Sequence, residues 1–112
     1  MIDKAETSLL LDYYGGFLTE RRRELMRMCA DEDMSLAEIA EVTGVSRQGV
    51  RDGIARGAAE LIRFEEQLGI VARDRQLASV ASALERAGEI EDIGALRAAV
   101  AEQASRLRKL IR

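Results

Sequence analysis

Apolar side chains recur at three- and four-residue intervals along almost the whole chain, and this spacing predicts six helices. The first is expected from about Asp3 to Tyr14, with Leu9, Leu10, Tyr13 and Tyr14 on one buried face. Gly15 and Gly16 should end it, because glycine takes the left-handed conformation of a C-cap at little cost. Thr19 then caps a second helix through Ala30, with Leu25, Met26, Met28 and Cys29 inward. The acidic run Asp31-Glu32-Asp33 reads as a solvated loop.

Residues 35–66 carry the most specific pattern. Ser35-Leu36-Ala37-Glu38 is a capping box that opens a third helix, in which Leu36, Ile39 and Ala40 recur at helical spacing. Thr43-Gly44-Val45 breaks that helix, Ser46 caps a fourth that can run through Glu66, and Gly69 should end it. A short helix, a tight turn with a central glycine and a longer capped helix, in that order, define a helix-turn-helix. Ala40 is small enough for close approach, Gly44 supplies the positive φ of the turn, and Val45 and Val50 plug the space between the helices. A helical hairpin without a nucleic-acid role would share these parts.

On a helical wheel of the fourth helix, Val50, Ile54, Gly57 and Leu61 share the inner side. Gln48, Asp52, Ala55, Ala59 and Arg63 lie opposite, with Arg47 and Arg51 on one flank and Arg56 on the other. The N-terminal part of that outer face is what would enter a major groove. The candidate nucleic-acid-binding residues are therefore Ser46, Arg47, Gln48, Arg51 and Arg56, with the Ser46 cap placed where backbone amides can meet a phosphate. A solvated polar face is the competing account, and Asp52 would be repelled by phosphate. Gly49, Gly53 and Gly57 recur every four residues of this helix, each costing ~1 kcal/mol against alanine. They form a smooth strip that another helix can approach closely.

The last third predicts two plain helices. Arg73 to Ala87 carries Leu77, Val80, Leu84 and Ala87, and Gly88 with Glu89–Asp92 makes a turn. Ile93, Leu96, Val100, Gln103, Leu107 and Leu110 then form a heptad seam with one polar member. That seam suits either an exposed oligomerisation helix or a helix packed on its own domain. The expected organisation is an all-α fold, a helix-turn-helix domain over 1–70 and a C-terminal helical extension over 71–112, a candidate oligomerisation element.

Composition narrows the chemistry. The chain has 112 residues, no proline, no histidine and one cysteine, which excludes an internal disulfide or a Cys/His zinc site within one chain. Cys29 reads as a small buried thiol. No stretch is long and apolar enough to span a membrane, and Met1–Leu10 carries Asp3, Lys4 and Glu6, so a cytoplasmic location is the default. No histidine base, glycine-rich phosphate loop, metal-ligand cluster or activated serine is visible, so neither enzymatic activity nor a cofactor is expected. The net charge is −3, with acidity in residues 1–45 (5 basic, 10 acidic) and a slight basic excess in residues 69–112 (8 basic, 6 acidic). DNA affinity should accordingly be modest and lost readily with added salt. Arg21-Arg22-Arg23 could contact phosphates, but it reads more simply as a surface patch paired with Glu20 and Glu24.

Several motifs resemble the YlxM-type helix-turn-helix family, which is similar to the region-4 DNA-binding domain of sigma factors. They are Leu11-Asp12-Tyr13-Tyr14-Gly15, Leu18-Thr19-Glu20-Arg21-Arg22-Arg23, Ser35-Leu36-Ala37-Glu38-Ile39-Ala40, Gly44-Val45-Ser46-Arg47-Gln48-Gly49-Val50 and Glu65-Glu66-Gln67-Leu68-Gly69-Ile70. The resemblance covers about residues 8–72 and fades beyond Ile70. It implies a bacterial cytoplasmic protein, typically encoded beside the signal recognition particle GTPase, with a regulatory or accessory role in that pathway. Two functions follow as expectations. One is a regulator that binds DNA as a homodimer. The other is an accessory factor whose basic run Arg106, Arg108, Lys109, Arg112 contacts signal recognition particle RNA or protein.

Overall fold

A computed structural model describes residues 3–111, and among these every regular element is helical. The helices are α1 (Lys4–Tyr14), α2 (Glu20–Ala30), α3 (Leu36–Thr43), α4 (Arg47–Leu68), α5 (Ile70–Ala87) and α6 (Ile93–Leu110). They form two compact units divided between Gly69 and Ile70.

In the N-terminal unit, side chains cap the helices where the sequence places them. Asp3 accepts from the Glu6 amide, Thr19 from Arg22 and Ser46 from Gly49, each satisfying an orphan donor. The capping box is reciprocal: Ser35 Oγ accepts from the Glu38 amide, and Glu38 Oε1 accepts from the Ser35 amide at 3.1 Å. That backbone bond holds the Glu38 carboxyl below the usual carboxylate range. Gly44 and Gly69 end α3 and α4 in the left-handed region, at φ 75° and 62°.

Gly15 and Gly16 do not behave as expected. Instead of a left-handed cap, Gly15–Phe17 forms one 3-10 turn, with Gly15 at φ −56°. The cause is tertiary: the turn delivers Phe17 to Phe64 of α4, with ring centroids 5.4 Å apart. Tyr14 completes a triangle with these two rings, and its hydroxyl donates to Glu65.

Two packed groups make the core. Tyr14, Met26 and Leu61 are fully buried where α1, α2 and α4 meet. Leu25, Met28, Ile39 and Val50 form the second group, joining α2, α3 and α4, with Ala40, Val45 and Ile54 around it. Cys29 packs against this group but is only half-buried. The glycine strip is used inside the chain. A Cβ on Gly57 would lie 2.5 Å from Met26 Sδ and 3.3 Å from Arg22 Cγ, and one on Gly53 would lie 3.0 Å from Leu25 Cδ1. The helix that approaches closely is α2.

The acidic loop is solvated as expected, with Asp31, Glu32 and Asp33 all exposed, and each of the three side chains also has a partner. Asp33 pairs with Lys4, Asp31 accepts from the Ser8 hydroxyl, and Glu32 pairs with Arg27 at 3.2 Å. These pairs are exposed and contribute little stability.

The C-terminal unit is an antiparallel hairpin of α5 and α6. Helix α5 begins at Ile70, three residues before the expected start, directly after the Gly69 cap. Asp92 caps α6 by accepting from the Ala95 amide at 2.8 Å. Val80, Ala87 and Gln103 are buried in the hairpin, where Arg106 donates to Gln103 Oε1 at 2.7 Å and to Ser79 Oγ at 2.9 Å.

The packing separates two glycines. Gly57→Ala should lower unfolding free energy by about 1–2 kcal/mol, because overpacking against Met26 outweighs the gain in helix propensity. Gly53→Ala should stay within about 0.5 kcal/mol of the parent, since a small shift of one Leu25 methyl offsets that gain. Urea denaturation midpoints of the two variants check the ordering.

Candidate nucleic-acid interface

The helix-turn-helix is built by local rules and held by the second core group. Gly44 turns the chain, its amide donating to Ala40 O at 2.9 Å, and Ser46 starts α4 at once. Ile39 and Val50, both fully buried, fix α3 against the first turn of α4. The N-terminal half of α4 is left facing water on its other side.

Ser46, Arg47, Gln48, Arg51 and Arg56 are all exposed. Their positions differ in use. Ser46 Oγ accepts from the Gly49 amide at 3.0 Å, so the hydroxyl is engaged as a cap. Gln48 Nε2 donates to Asp52 Oδ1 at 3.0 Å, one turn along, which holds both side chains on the outer face. Arg47, Arg51 and Arg56 form no ion pair among the described residues. These exposed guanidiniums, Arg47 and Arg51 on one flank of α4 and Arg56 on the other, can each give a forked pair of donors to a phosphate or to guanine O6 and N7.

One residue was named on sequence grounds only as part of a basic run, with no link to α4. A cleft of about 340 Å³ lies between α2 and α4, with Gly49 and Gly53 in its lining and Arg21, Arg56 and Asp52 around it. Arg21 precedes Leu25 by one helical turn, and Leu25 packs on Gly53, so the packing that seats α2 carries Arg21 to the same cleft as Arg56. That i, i+4 relation was the available signal. The expected pairing of the arginine run with Glu20 and Glu24 is not what forms. Arg22 pairs with Glu60 of α4, and Glu24 pairs with Arg27.

The basic run of α6 is also divided. Arg106 is committed to Gln103 and Ser79 inside the hairpin, Arg108 and Lys109 are exposed, and Arg112 lies outside the described residues. Among the described residues no group of acidic or cysteine side chains could hold a metal ion, and no helix is long and apolar enough to cross a membrane.

These elements define a helix-turn-helix protein. Comparison with known proteins places it further: residues 1–110 match the family described as "Putative helix-turn-helix protein, YlxM / p13 like", and the chain belongs to that family. The likeness therefore does not fade at Ile70 but takes in the C-terminal hairpin as well. A UPF0122 protein from Symbiobacterium thermophilum is 44% identical over 101 residues, 90% of this chain and 94% of the relative. One from Acetivibrio thermocellus is 53% identical over 66 residues, 59% of this chain and 56% of the relative. A third, from Thermoanaerobacter sp., is 40% identical over 83 residues, 74% of this chain and 71% of the relative.

Losing the Ser46 cap should cost about 1 kcal/mol in Ser46→Ala, as for other N-cap serines. Ser46→Asp should keep the cap and hold the parent melting temperature within about 2 °C. Thermal denaturation followed by circular dichroism checks both.

Proposed function

We propose that the protein is a sigma-region-4-like regulator that binds duplex DNA as a homodimer, acting in the cytoplasm in connection with the signal recognition particle pathway. The observation that carries this reading is the outer face at the start of α4, where Arg47, Gln48 and Arg51 stand exposed on a helix rigidly seated by Ile39 and Val50. Arg47 and Arg51 reach base edges or phosphates, Gln48 suits adenine once it exchanges Asp52 for a base, and the amides at the Ser46 cap suit a phosphate. Arg56, with Arg21 across the cleft, follows the sugar-phosphate backbone.

Charge favours a second reading, in which the helix-turn-helix is a scaffold and the protein is an accessory factor contacting signal recognition particle RNA or protein. The net charge is −3, and the C-terminal residues hold the basic excess. Arg108 and Lys109 of α6 would then make the contact, without Arg106.

Binding of the full chain to duplex DNA and to signal recognition particle RNA across graded salt distinguishes the two. On the DNA reading, Arg47→Ala and Arg51→Ala each weaken duplex binding by about tenfold at low salt, and each lowers the salt slope by about 0.9 where a phosphate contact is lost. Ser46→Asp weakens binding while leaving the fold intact, because its carboxylate meets the phosphate. RNA binding that survives these changes but falls in Arg108→Ala and Lys109→Ala supports the second reading. Absence of duplex binding at low salt sinks the first.

A further inference from the structure

The predicted six-member seam of α6 does not act as one seam. Leu96, Gln103 and Leu110 turn inward with Ala99 and Arg106, and Arg106 and Leu110 lie beside Gln76 and Val80 of α5. Of the alternate members, Ile93 and Val100 stay open at 63% and 46% exposure, while Leu107 is half-buried. Helix α5 repeats the division. Val80 and Ala87 are buried, while Ile70, Leu77 and Leu84, spaced by seven residues, are 41%, 38% and 39% exposed. The small exposed residues Ala81 and Ala104 fall in the same rows.

At 3.6 residues per turn, each open row lies about a sixth of a turn beyond its own helix's buried row, in the same rotational sense in both helices. The helices are antiparallel, so both open rows emerge on the same broad side of the hairpin. That side is a continuous apolar face with period seven. The hairpin has only about forty residues and a thin core, the size at which chains usually need assembly to be stable.

Charge selects the partner. Just beyond the apolar row, α5 carries Asp74 and Glu85, whereas α6 carries Arg97 and Arg108, all four exposed. The face therefore has one acidic and one basic edge. The spacing is eleven residues in both cases. A second copy turned by a two-fold axis parallel to the helices sets α5 against α6 of the other copy and acidic edge against basic edge. Equal spacing brings Asp74 toward Arg108 and Glu85 toward Arg97 in a single register. A two-fold axis across the helices would set like charges together.

We propose that the hairpins of two copies pack face to face through these rows, giving a four-helix bundle with that two-fold axis. This rests on the dimeric part of the function proposed above and names its surface and symmetry. Edge pairs at a solvated rim contribute little affinity but set orientation.

Sedimentation equilibrium of the full chain without nucleic acid tests it. The parent should sediment at twice 12.4 kDa at micromolar concentration. Leu77→Glu with Val100→Glu should give a monomer with unchanged helix content. Glu85→Arg and Arg97→Glu should each raise the dimer Kd about fivefold or more, and the double reversal should return it to within about twofold of the parent. A monomeric parent, an undisturbed dimer in the Leu77/Val100 variant, or no rescue by the double reversal overturns the proposal. Duplex binding lost in Arg47→Ala but independent of these outcomes would leave the DNA reading standing alone.

Discussion

Met26 lying on the bare backbone of Gly57 is the contact on which the N-terminal unit depends. With no side chain at that position, α2 settles onto α4 closely enough for the sulfur to occupy the space a Cβ would take. The same seating places the Arg22 stem beside Gly57, brings its guanidinium to Glu60 and rests Leu25 on Gly53. Leu25 in turn belongs to the group that holds Ile39 and Val50, and so fixes the turn between α3 and α4. Glycines inside a helix cost about 1 kcal/mol each. Here that cost is offset by burial of Met26 and Leu25, each worth roughly 1.5–3 kcal/mol. The stiffness of α4 thus comes from what lies against it and not from its own propensity.

The legible parts of this fold are the ones set by neighbours in sequence. Caps at Asp3, Thr19, Ser35 and Ser46 need only a side-chain oxygen three residues before an orphan amide. The turn at Gly44 needs only a residue that tolerates positive φ. The parts misread or missed depend on distant partners. Gly15 enters a 3-10 turn because Phe17 finds Phe64, and Asp33 is paired because α1 delivers Lys4. Arg22 finds Glu60 thirty-eight residues away and not its neighbours Glu20 or Glu24. In the candidate interface, the side chains on α4 were legible from one helical wheel. Arg21 was not, because its relation to Arg56 passes through the packing of two helices.

Net charge was a poor guide for the same reason. Three of the ten acidic side chains of residues 1–45 are tied to cations in the structure: Asp33 to Lys4, and Glu24 and Glu32 to Arg27. Glu60 is likewise held by Arg22. The arginines at the start of α4, with Arg21 and Arg56 at the cleft, have no such partners among the described residues. Electrostatic attraction to a polyanion depends on the local potential at the contact face more than on the sum over the molecule. Asp52 is the exception at that face, and its bond to Gln48 spends part of its acceptor capacity within the helix.

The heptad seam of α6 carries the most general lesson. A seven-residue repeat states that two rows of apolar side chains need covering, but not whether one neighbour covers both. Leu96, Gln103 and Leu110 share a row that α5 covers, and Ile93 and Val100 share one that it leaves open. Rows about a sixth of a turn apart can face one partner in a coiled coil, so the exposure of Ile93 and Val100 shows that α5 lies toward the Gln103 side of that stripe. Set there, α5 and α6 each leave one such row open and are incomplete as a pair. In the bundle proposed above, a second copy brings the number to four, with every helix using one row toward each of two neighbours.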